Sequence, residues 1–383
     1  MKTTLTTAAT LLLTTSAAFA VGLDRSGQDI TVIFEDGDYA ELSFGRITPN
    51  VDGTDLLLTA PDGTVANPGG QQSGNVAEDF TQFSFAYKGQ ITDNLSAAVI
   101  FDEPYGANIF YPTPSSLTNG SVNLGGTAAE VNSTAVTGLL RYKINENFSV
   151  HGGIRVQTLD ANITLSGIAF GAPGNGLNGF NVDFAEDTAV GYTAGVAYER
   201  PDIALRVALT YHSEIDHDFP TVDTNAGPSN TSVTTPQAVN LDFQTGVAAN
   251  TLVFGSIRWA EYETVLVEPA GFPLGSLTDI EDGFSYTLGV GRQFTEQFSA
   301  SISLGLETEG DDDLVSPLSP TNGSYTFTVG GKYDLNENVA ISGGVSYAVL
   351  GDARPETGTP DIARANFEDN DAVGVGIKIG YKF

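Results

Sequence analysis

Two short histidine motifs are the first stretches of this chain whose residue types could do chemistry. His212-Ser213-Glu214 and Asp216-His217-Asp218 bring imidazole, hydroxyl and carboxylate groups together within seven residues. A histidine beside a hydroxyl and a carboxylate could activate a nucleophile, as hydrolases do, and histidine with carboxylates could bind a metal ion. Loop histidines next to acids are common, however, and no matching cluster occurs elsewhere in the sequence. We therefore predict no enzymatic activity, no metal site and no cofactor.

Arginines inside alternating apolar segments are the second candidates. Arg155, Arg206 and Arg258 lie well within such segments rather than at their ends. A guanidinium group can hold a carboxylate through two parallel hydrogen bonds, so these residues could bind the acidic head of a substrate. Ordinary electrostatic lining of an interior wall is the alternative interpretation. Leu139 and Phe254 share the inward parity and would give the same interior an apolar, substrate-binding character.

The last segment of the chain shows which kind of element carries these residues. From 373 to 383 every second residue is apolar, ending in Tyr381 and Phe383, and the residues between them are small or cationic. A strand places alternate side chains on opposite faces, so this strand has one fully apolar face. An aromatic pair that ends the apolar face is typical of a transmembrane barrel strand with its interfacial girdle.

The same alternation recurs along the chain. Fourteen strands are predicted, near residues 37–48, 78–91, 94–111, 133–144, 147–160, 185–199, 202–214, 239–248, 251–263, 284–294, 297–309, 322–334, 337–349 and 371–383. Short turns alternate with long segments rich in Gly, Pro, Ser, Asn and Asp, as periplasmic turns and external loops do in outer-membrane barrels. The sequence predicts an all-β fold, a transmembrane antiparallel β-barrel of about 14 strands with both termini in the periplasm.

The start of the chain indicates export. Lys2 is followed by a weakly apolar stretch and by Ala18-Phe19-Ala20, the A-x-A form of a signal-peptide cleavage site. We predict a signal peptide at 1–20, a short N-terminal hatch or plug segment at 21–36, and the barrel at 37–383. Export of a barrel places the protein in the outer membrane of a Gram-negative cell.

Charge excludes one class of partner. The net charge of −31 disfavours nucleic acid and other anionic polymers. The acids gather in the predicted loops, for example at 309–313 and 368–371, where a solvated exterior explains them. Bridging by divalent cations to lipopolysaccharide is the alternative, so outer-membrane lipid and lipopolysaccharide are expected partners.

With the strands placed, a family resemblance becomes visible. The segments Gly22–Gln28, Phe34–Gly45 and Pro49–Gly53 resemble the mature start of outer-membrane hydrocarbon transporters of the long-chain fatty acid (FadL/TodX) type. Tyr198–Tyr211 and Pro236–Trp259, with its Gln244-Thr245-Gly246-Val247, agree with the same family. The resemblance implies a fourteen-stranded barrel plugged by an N-terminal hatch, capture of hydrophobic substrates by outer loops, and sideways release through the wall. The family's Asn-Pro-Ala hatch motif is absent here, so the plug is reduced.

The third strand contains the predicted lateral opening. After Leu95 to Phe101 the chain reads Asp102-Glu103-Pro104-Tyr105-Gly106. Proline has no N–H for the ladder, and a closed barrel has no edge strand to accommodate it. The resemblance implies a kinked third strand at the opening, so Pro104, Tyr105 and Gly106 are expected there. Alternatively, the strand has already left the hydrocarbon layer at Pro104, since about ten residues span it.

The function expected from this reading is passive transport of hydrophobic compounds, first among them long-chain fatty acids, across the outer membrane. A general or solute-selective porin with an open, water-filled lumen is the alternative. A structural or adhesive barrel with acidic loops as its working surface is a third class.

Overall fold

The computed structural model describes residues 23–114, 120–172, 176–358 and 361–383. The predicted signal peptide therefore lies outside the described residues. Fourteen strands, numbered here in chain order, form the wall: β1 Tyr39–Asn50, β2 Phe80–Gln90, β3 Leu95–Asp102, β4 Ala128–Lys143, β5 Phe148–Leu165, β6 Phe180–Arg200, β7 Leu205–His212, β8 Ala238–Ala248, β9 Thr251–Ala260, β10 Gly283–Gln293, β11 Phe298–Glu307, β12 Ser324–Asp334, β13 Val339–Leu350 and β14 Asp371–Lys382.

Antiparallel pairing of each strand with the next closes these strands into a barrel. β14 pairs with β1 from Tyr39↔Lys382 to Asn50↔Asp371, which joins the two ends of the sheet. Side chains alternate as the sequence predicted: Val375 and Ile377 are exposed on the outer face, while Gly374 and Lys378 face the lumen. The prediction of a fourteen-stranded transmembrane barrel is confirmed.

The short turns at one end of the barrel share a local cause. Thr92, Asn145, Thr295 and Asn336 each begin a turn, and each side-chain oxygen accepts hydrogen bonds from the backbone N–H groups two and three residues later. Such Asx- and Thr-based turns reverse the chain within a few residues. They fix this end of the barrel as the one with short connections.

The long connections at the other end carry further structure. A hairpin, Ile215–Asp223 with Gly227–Thr235, continues the wall between β7 and β8. Small strands lie at Gly53–Asp55, Leu58–Thr59, Val65–Asn67, Leu314–Val315, Arg354–Thr357, Ile362–Ala363 and Ala365–Phe367, and single 3-10 turns at Ile168–Phe170 and Tyr262–Thr264. A further 3-10 turn, Pro201–Ile203, forms the short connection between β6 and β7 at the opposite end. In the described part of the chain, no helix has the length and apolar character needed to cross a membrane.

Two strand predictions differ from the structure. β4, β5 and β6 extend about five residues further outward than predicted, because they continue as paired strands beyond the apolar belt. The predicted strand at 94–111 is divided: β3 ends at Asp102, and an outer segment, Gly106–Phe110, forms a ladder with β4 and a single bridge to Ala77 on its other side. The residues between them are Glu103, Pro104 and Tyr105.

Residues 23–36, called here the N-terminal segment, lie inside the barrel. The segment contains one 3-10 helix, Thr31–Phe34, whose four residues are all buried. Ile30, Val32, Ile33 and Phe34 pack against small and apolar inward residues of five strands, Ala86, Ala98, Ile100, Leu139, Ala197 and Ala208. The segment therefore fills the lumen on the side of β2 to β7.

Candidate functional site

The strand register points all three predicted arginines into the lumen, and the tertiary structure decides what each one meets. Arg258 on β9 pairs with Asp24 of the N-terminal segment, with 2.6 Å between Nε and Oδ2, and Nη1 donates to Asn240 Oδ1 at 2.8 Å. Arg155 on β5 lies 3.3 Å from Asp102 at the end of β3, and its Nε donates to Thr137. Both guanidinium groups therefore already have a carboxylate partner.

Arg206 has a different neighbour. Its guanidinium lies over the ring of Phe34, 4.9 Å from the centroid, and Arg141 covers the same ring at 4.6 Å. Arg141 also pairs with Glu199. Cation–π contacts of this kind favour a fixed ring position. Both arginines thus contact the Phe34 ring in the half of the lumen near the short turns.

The two predicted apolar contacts occupy separate places. Leu139 is buried against the N-terminal segment and belongs to the cluster around Ile33 and Phe34. Phe254 is buried on β9, with its ring against Gly289 of β10. The structure brings neither into a common site with Arg155 or Arg258, and their role in substrate binding stays a prediction.

The ladder between β2 and β3 is interrupted beside Pro104. The ladder between β2 and β3 stops at Phe85↔Phe101, and the next pairing is the isolated bridge Ala77↔Ile109. Between these two points, residues 79–84 and residues 102–107 do not pair with each other, although each stretch keeps its neighbour on the other side. We call this break in the ladder the wall gap. A cavity opens in it, lined by residues that include Arg25, Asp79, Thr81, Glu103 and Thr134.

The wall gap lies at the outer edge of the apolar belt. At the end of the wall gap nearer the short turns, the outward residues of β2 and β4 are Phe83 and Val136, both exposed. One step outward along the same strands they become Thr81 and Thr134. Since apolar outward side chains mark the hydrocarbon layer of a barrel, the wall gap lies at its boundary with the outer polar region.

The N-terminal segment crosses the inner side of this break. Asp24 and Tyr105 form an antiparallel bridge, in which Arg25 N donates to Pro104 O at 2.8 Å and Gly106 N donates to Leu23 O at 2.9 Å. Tyr105 is buried, and its hydroxyl accepts a hydrogen bond from Gln28 Nε2 at 3.1 Å. The backbone groups of Pro104 and Gly106, which form no hydrogen bonds with β2, are thus hydrogen-bonded by the N-terminal segment from inside the lumen.

An apolar cavity lies outward of the N-terminal segment, and most of its lining side chains are apolar. Leu23 forms its floor, and the hairpin at 215–235 and the loop after β9 help to enclose it. Its lining includes Val131, Leu159, Ile163, Phe184, Phe219 and Leu318. Concave apolar pockets of this kind are the usual binding sites for hydrophobic small molecules.

The sequence prediction missed these cavity residues, although one signal was present. At the outer ends of β4, β5 and β6 the alternation is inverted: Val131 and Ile163 face inward, while Glu130, Asn162 and Asp183 face outward. A wall that is polar outside and apolar inside has left the hydrocarbon layer and encloses an apolar interior. The inversion could have located the cavity.

The histidines form no reactive cluster. His217 Nδ1 lies 2.9 Å from Asp187 Oδ2, and its Nε2 lies 3.1 Å from Gln157 Nε2. His151 Nε2 lies 2.9 Å from Thr210 Oγ1 on β7. Within the described ranges, no group of three or more His, Cys, Asp or Glu side chains could hold a metal ion.

Comparison with known proteins places this architecture. A family model described as outer membrane protein transport protein (OMPP1/FadL/TodX) matches residues 32–377. A FadL homologue from Pseudomonas aeruginosa superposes with a TM-score of 0.73 at 14% identity, over 96% of this chain and 95% of that one. The toluene transporter TodX of P. putida gives 0.62 at 14% identity, over 92% of each chain. The toluene transporter TbuX of Ralstonia pickettii gives 0.61 at 12% identity, over 96% of this chain and 98% of that one.

None of the curated proteins compared with this chain matches it. The three superpositions show a shared fold, and the family match extends over most of the described barrel. This family consists of transport channels, not enzymes. The chain is therefore an integral outer-membrane β-barrel that belongs to the OMPP1/FadL/TodX family of transporters for hydrophobic compounds.

Proposed function

We propose that this protein carries long-chain fatty acids passively across the outer membrane and releases them sideways through the wall gap. The apolar cavity beneath the outer loops receives the acyl chain. The observation that carries the proposal is that Leu23 lines the apolar cavity while Arg25, two residues further along the same segment, lines the wall gap.

The filled lumen supports sideways release over an axial route. Ile30 to Phe34 occupy the lumen on the side of the cavity, and Arg141 and Arg206 both contact the Phe34 ring. An acyl chain that moved straight toward the short turns would have to displace this packed cluster. The wall gap offers a path at the boundary of the hydrocarbon layer, where an amphiphile is most soluble.

Uptake by cells tests the proposal. A strain that lacks its own fatty-acid channel would be given this chain, and uptake of radiolabelled fatty acids of several lengths would be measured. We expect uptake to rise with expression for long acyl chains. Unchanged uptake at every length, with the protein present in the outer membrane, would overturn the assignment to fatty acids.

Ion current separates this function from the porin alternative. Because the N-terminal segment packs into the lumen, we expect small or no steady currents in planar bilayers. Large, steady single-channel currents would favour a water-filled pore instead. Measuring toluene uptake in the same cells would show whether an aromatic hydrocarbon is carried in place of a fatty acid.

We also propose the processing and orientation that accompany this function. Residues 1–20 would be removed on export, 21–36 would act as the plug, and 37–383 would form the barrel. Tyr39 and Lys382 lie at the end of the barrel with the short turns, which supports a periplasmic position for both termini. N-terminal sequencing of the mature protein tests the cleavage site; a mature start other than Val21 would move it.

A further inference from the structure

The Arg25 side chain occupies the wall gap from the inside. Its Nη2 donates to Asn108 Oδ1 at 2.6 Å, and its guanidinium lies over the Phe80 ring, 4.2 Å from the centroid. A Cβ atom on Gly106 would overlap this guanidinium. Glycine at 106 therefore makes the room in which Arg25 reaches from the lumen into the gap.

Arg25 differs from the other buried arginines of the interior in having no acid partner. Arg141, Arg155 and Arg258 each form an ion pair. Among the residues that the structure describes, no carboxylate oxygen lies within 4.0 Å of the Arg25 guanidinium. The nearby carboxylate of Glu103 accepts a hydrogen bond from Phe83 N instead, at 3.1 Å.

The Arg25 guanidinium is positively charged and has hydrogen-bond donors that are not used within the described ranges. Burial lowers the pKa of Arg25 to about 10, against a smaller raising effect of Glu103, so the group is protonated at neutral pH. Only Nη2 has an acceptor in the described part of the chain, which leaves Nε and Nη1 to donate to another group. A buried cation without a counter-ion is costly, and an anion that arrives beside it relieves that cost.

Arg25 also lies at a junction. It lines the cavity below the outer loops, the cavity along β1, β2 and β14, and the cavity in the wall gap. Arg25 is therefore shared by the wall gap and by two neighbouring cavities. At the edge of the gap nearer the hydrocarbon layer, the centroids of the outward rings of Phe83 and Phe101 lie 5.9 Å apart, and the two rings offer an apolar surface.

We propose that Arg25 is an exit site that binds the anionic head of an amphiphile, while the tail lies along Phe83 and Phe101. This inference rests on the sideways release proposed above and adds a substrate class: an acyl chain with an acidic head, not a bare hydrocarbon. The head could belong to the transported fatty acid or to an anionic lipid of the surrounding membrane. Both would present a single negative charge to the same guanidinium.

Paired uptake measurements test the site. Cells expressing wild type, Arg25→Gln or Arg25→Lys would be given laurate and, separately, dodecane, which has the same chain length and no head. We expect Arg25→Gln to lower laurate uptake about tenfold, because one charge-assisted hydrogen bond is lost, and to leave dodecane uptake unchanged. Arg25→Lys keeps the charge and should retain most of the laurate uptake.

Arg200→Gln is the matched control. Arg200 lies at the end of β6, at a short turn away from the gap, pairs with Asp202 at 2.6 Å and is exposed. Its replacement should change neither uptake. Heat-modifiable migration on gels would show that each variant forms a barrel.

Binding measurements on purified protein in a non-ionic detergent distinguish the two sources of the anionic head, fatty acid and membrane lipid. Laurate and phosphatidylglycerol would be added in turn, and bound molecules counted by native mass spectrometry. Arg25-dependent binding of laurate supports the site as one for the substrate. Arg25-dependent binding of phosphatidylglycerol alone would overturn the added substrate class and leave a site for membrane lipid.

Equal laurate uptake by Arg25→Gln and wild type would overturn the exit site and leave the transport function intact. The exit site would also be overturned if Arg25→Gln changed the uptake of laurate and of dodecane by the same factor. Arg25 would then act only through the size of its side chain. Wild-type protein that carries neither compound would overturn the proposed function, and this inference with it.

Discussion

Arg258 Nε and Asp24 Oδ2 lie 2.6 Å apart although 234 residues separate them in the chain, and both side chains are buried. This contact joins β9 to the N-terminal segment in the middle of the lumen. Gln28 and Asn240 contribute further oxygen atoms around the same guanidinium. The pair therefore fixes the position of the segment that bridges the wall gap.

Loss of this pair should loosen the N-terminal segment. Asp24→Asn leaves Arg258 charged and buried without its counter-ion, at a cost of about 3–5 kcal/mol. Since the barrel strands pair with one another without this contact, we expect the segment to detach while the barrel stays folded. Single-channel recording should then show frequent openings. Asp202→Asn, at an exposed turn pair with Arg200, is the control and should stay silent; equally silent Asp24→Asn channels would contradict this role.

A polar group in the apolar cavity should weaken substrate binding. Val131 faces the cavity from β4, and an amide placed there by Val131→Asn would lack a polar partner. An unsatisfied buried amide costs about 1–3 kcal/mol, so we expect laurate affinity to fall by about 10- to 100-fold in isothermal titration. Asn132→Asp, on the outward face of the same strand, provides the control. Affinity equal to wild type in Val131→Asn would place the acyl chain elsewhere.

Filling the wall gap should slow transport without affecting binding. Thr134 lies on the outer rim of the gap, and a tryptophan there suits the membrane boundary. Thr134→Trp is expected to reduce laurate uptake severalfold, because the ring blocks the exit, while affinity for laurate stays near wild type. Thr158→Trp is the matched control, since Thr158 faces outward on β5 directly opposite Thr134. If both variants take up laurate normally, the gap is not the exit.

The stability of the outer loop around Glu356 should depend on pH. Burial raises the pKa of Glu356 to about 7 from a usual 4.5, and Asp361, Asp279 and Asp312 add repulsion. Because the folded loop holds this proton more tightly than the unfolded loop, its stability is greatest below pH 4.5 and falls as pH rises through 7. Hydrogen exchange in 354–357 should therefore be slower at pH 5 than at pH 8, after correction for intrinsic rates.

Glu356→Gln removes the titrating group. Protection of 354–357 in this variant should no longer depend on pH between 5 and 8. Glu337→Gln, in an exposed turn at the other end of the barrel, should keep the wild-type dependence. A pH dependence that survives in Glu356→Gln would assign it to another acid.

Much of the fold could be predicted because alternation is a local property. The period of two along 371–383 is enough to give a strand, an outer face and an inner face, and the same period points Arg155, Arg206 and Arg258 inward. Proline at 104 marks the break in β3 for an equally local reason, since it has no N–H to pair. Turn lengths then separate the two ends of the barrel.

The tertiary structure alone decided what fills the interior. Asp24, Asp102 and Glu199 neutralise arginines that the sequence placed on the wall, and two of these contacts depend on a segment or a strand end being folded into the lumen. The need for glycine at 106 comes from Arg25, 81 positions earlier, because the Arg25 guanidinium occupies the space that a side chain at 106 would fill. Contacts across a lumen depend on where segments distant in the sequence lie in space. The alternation within a single strand gives no information about those positions.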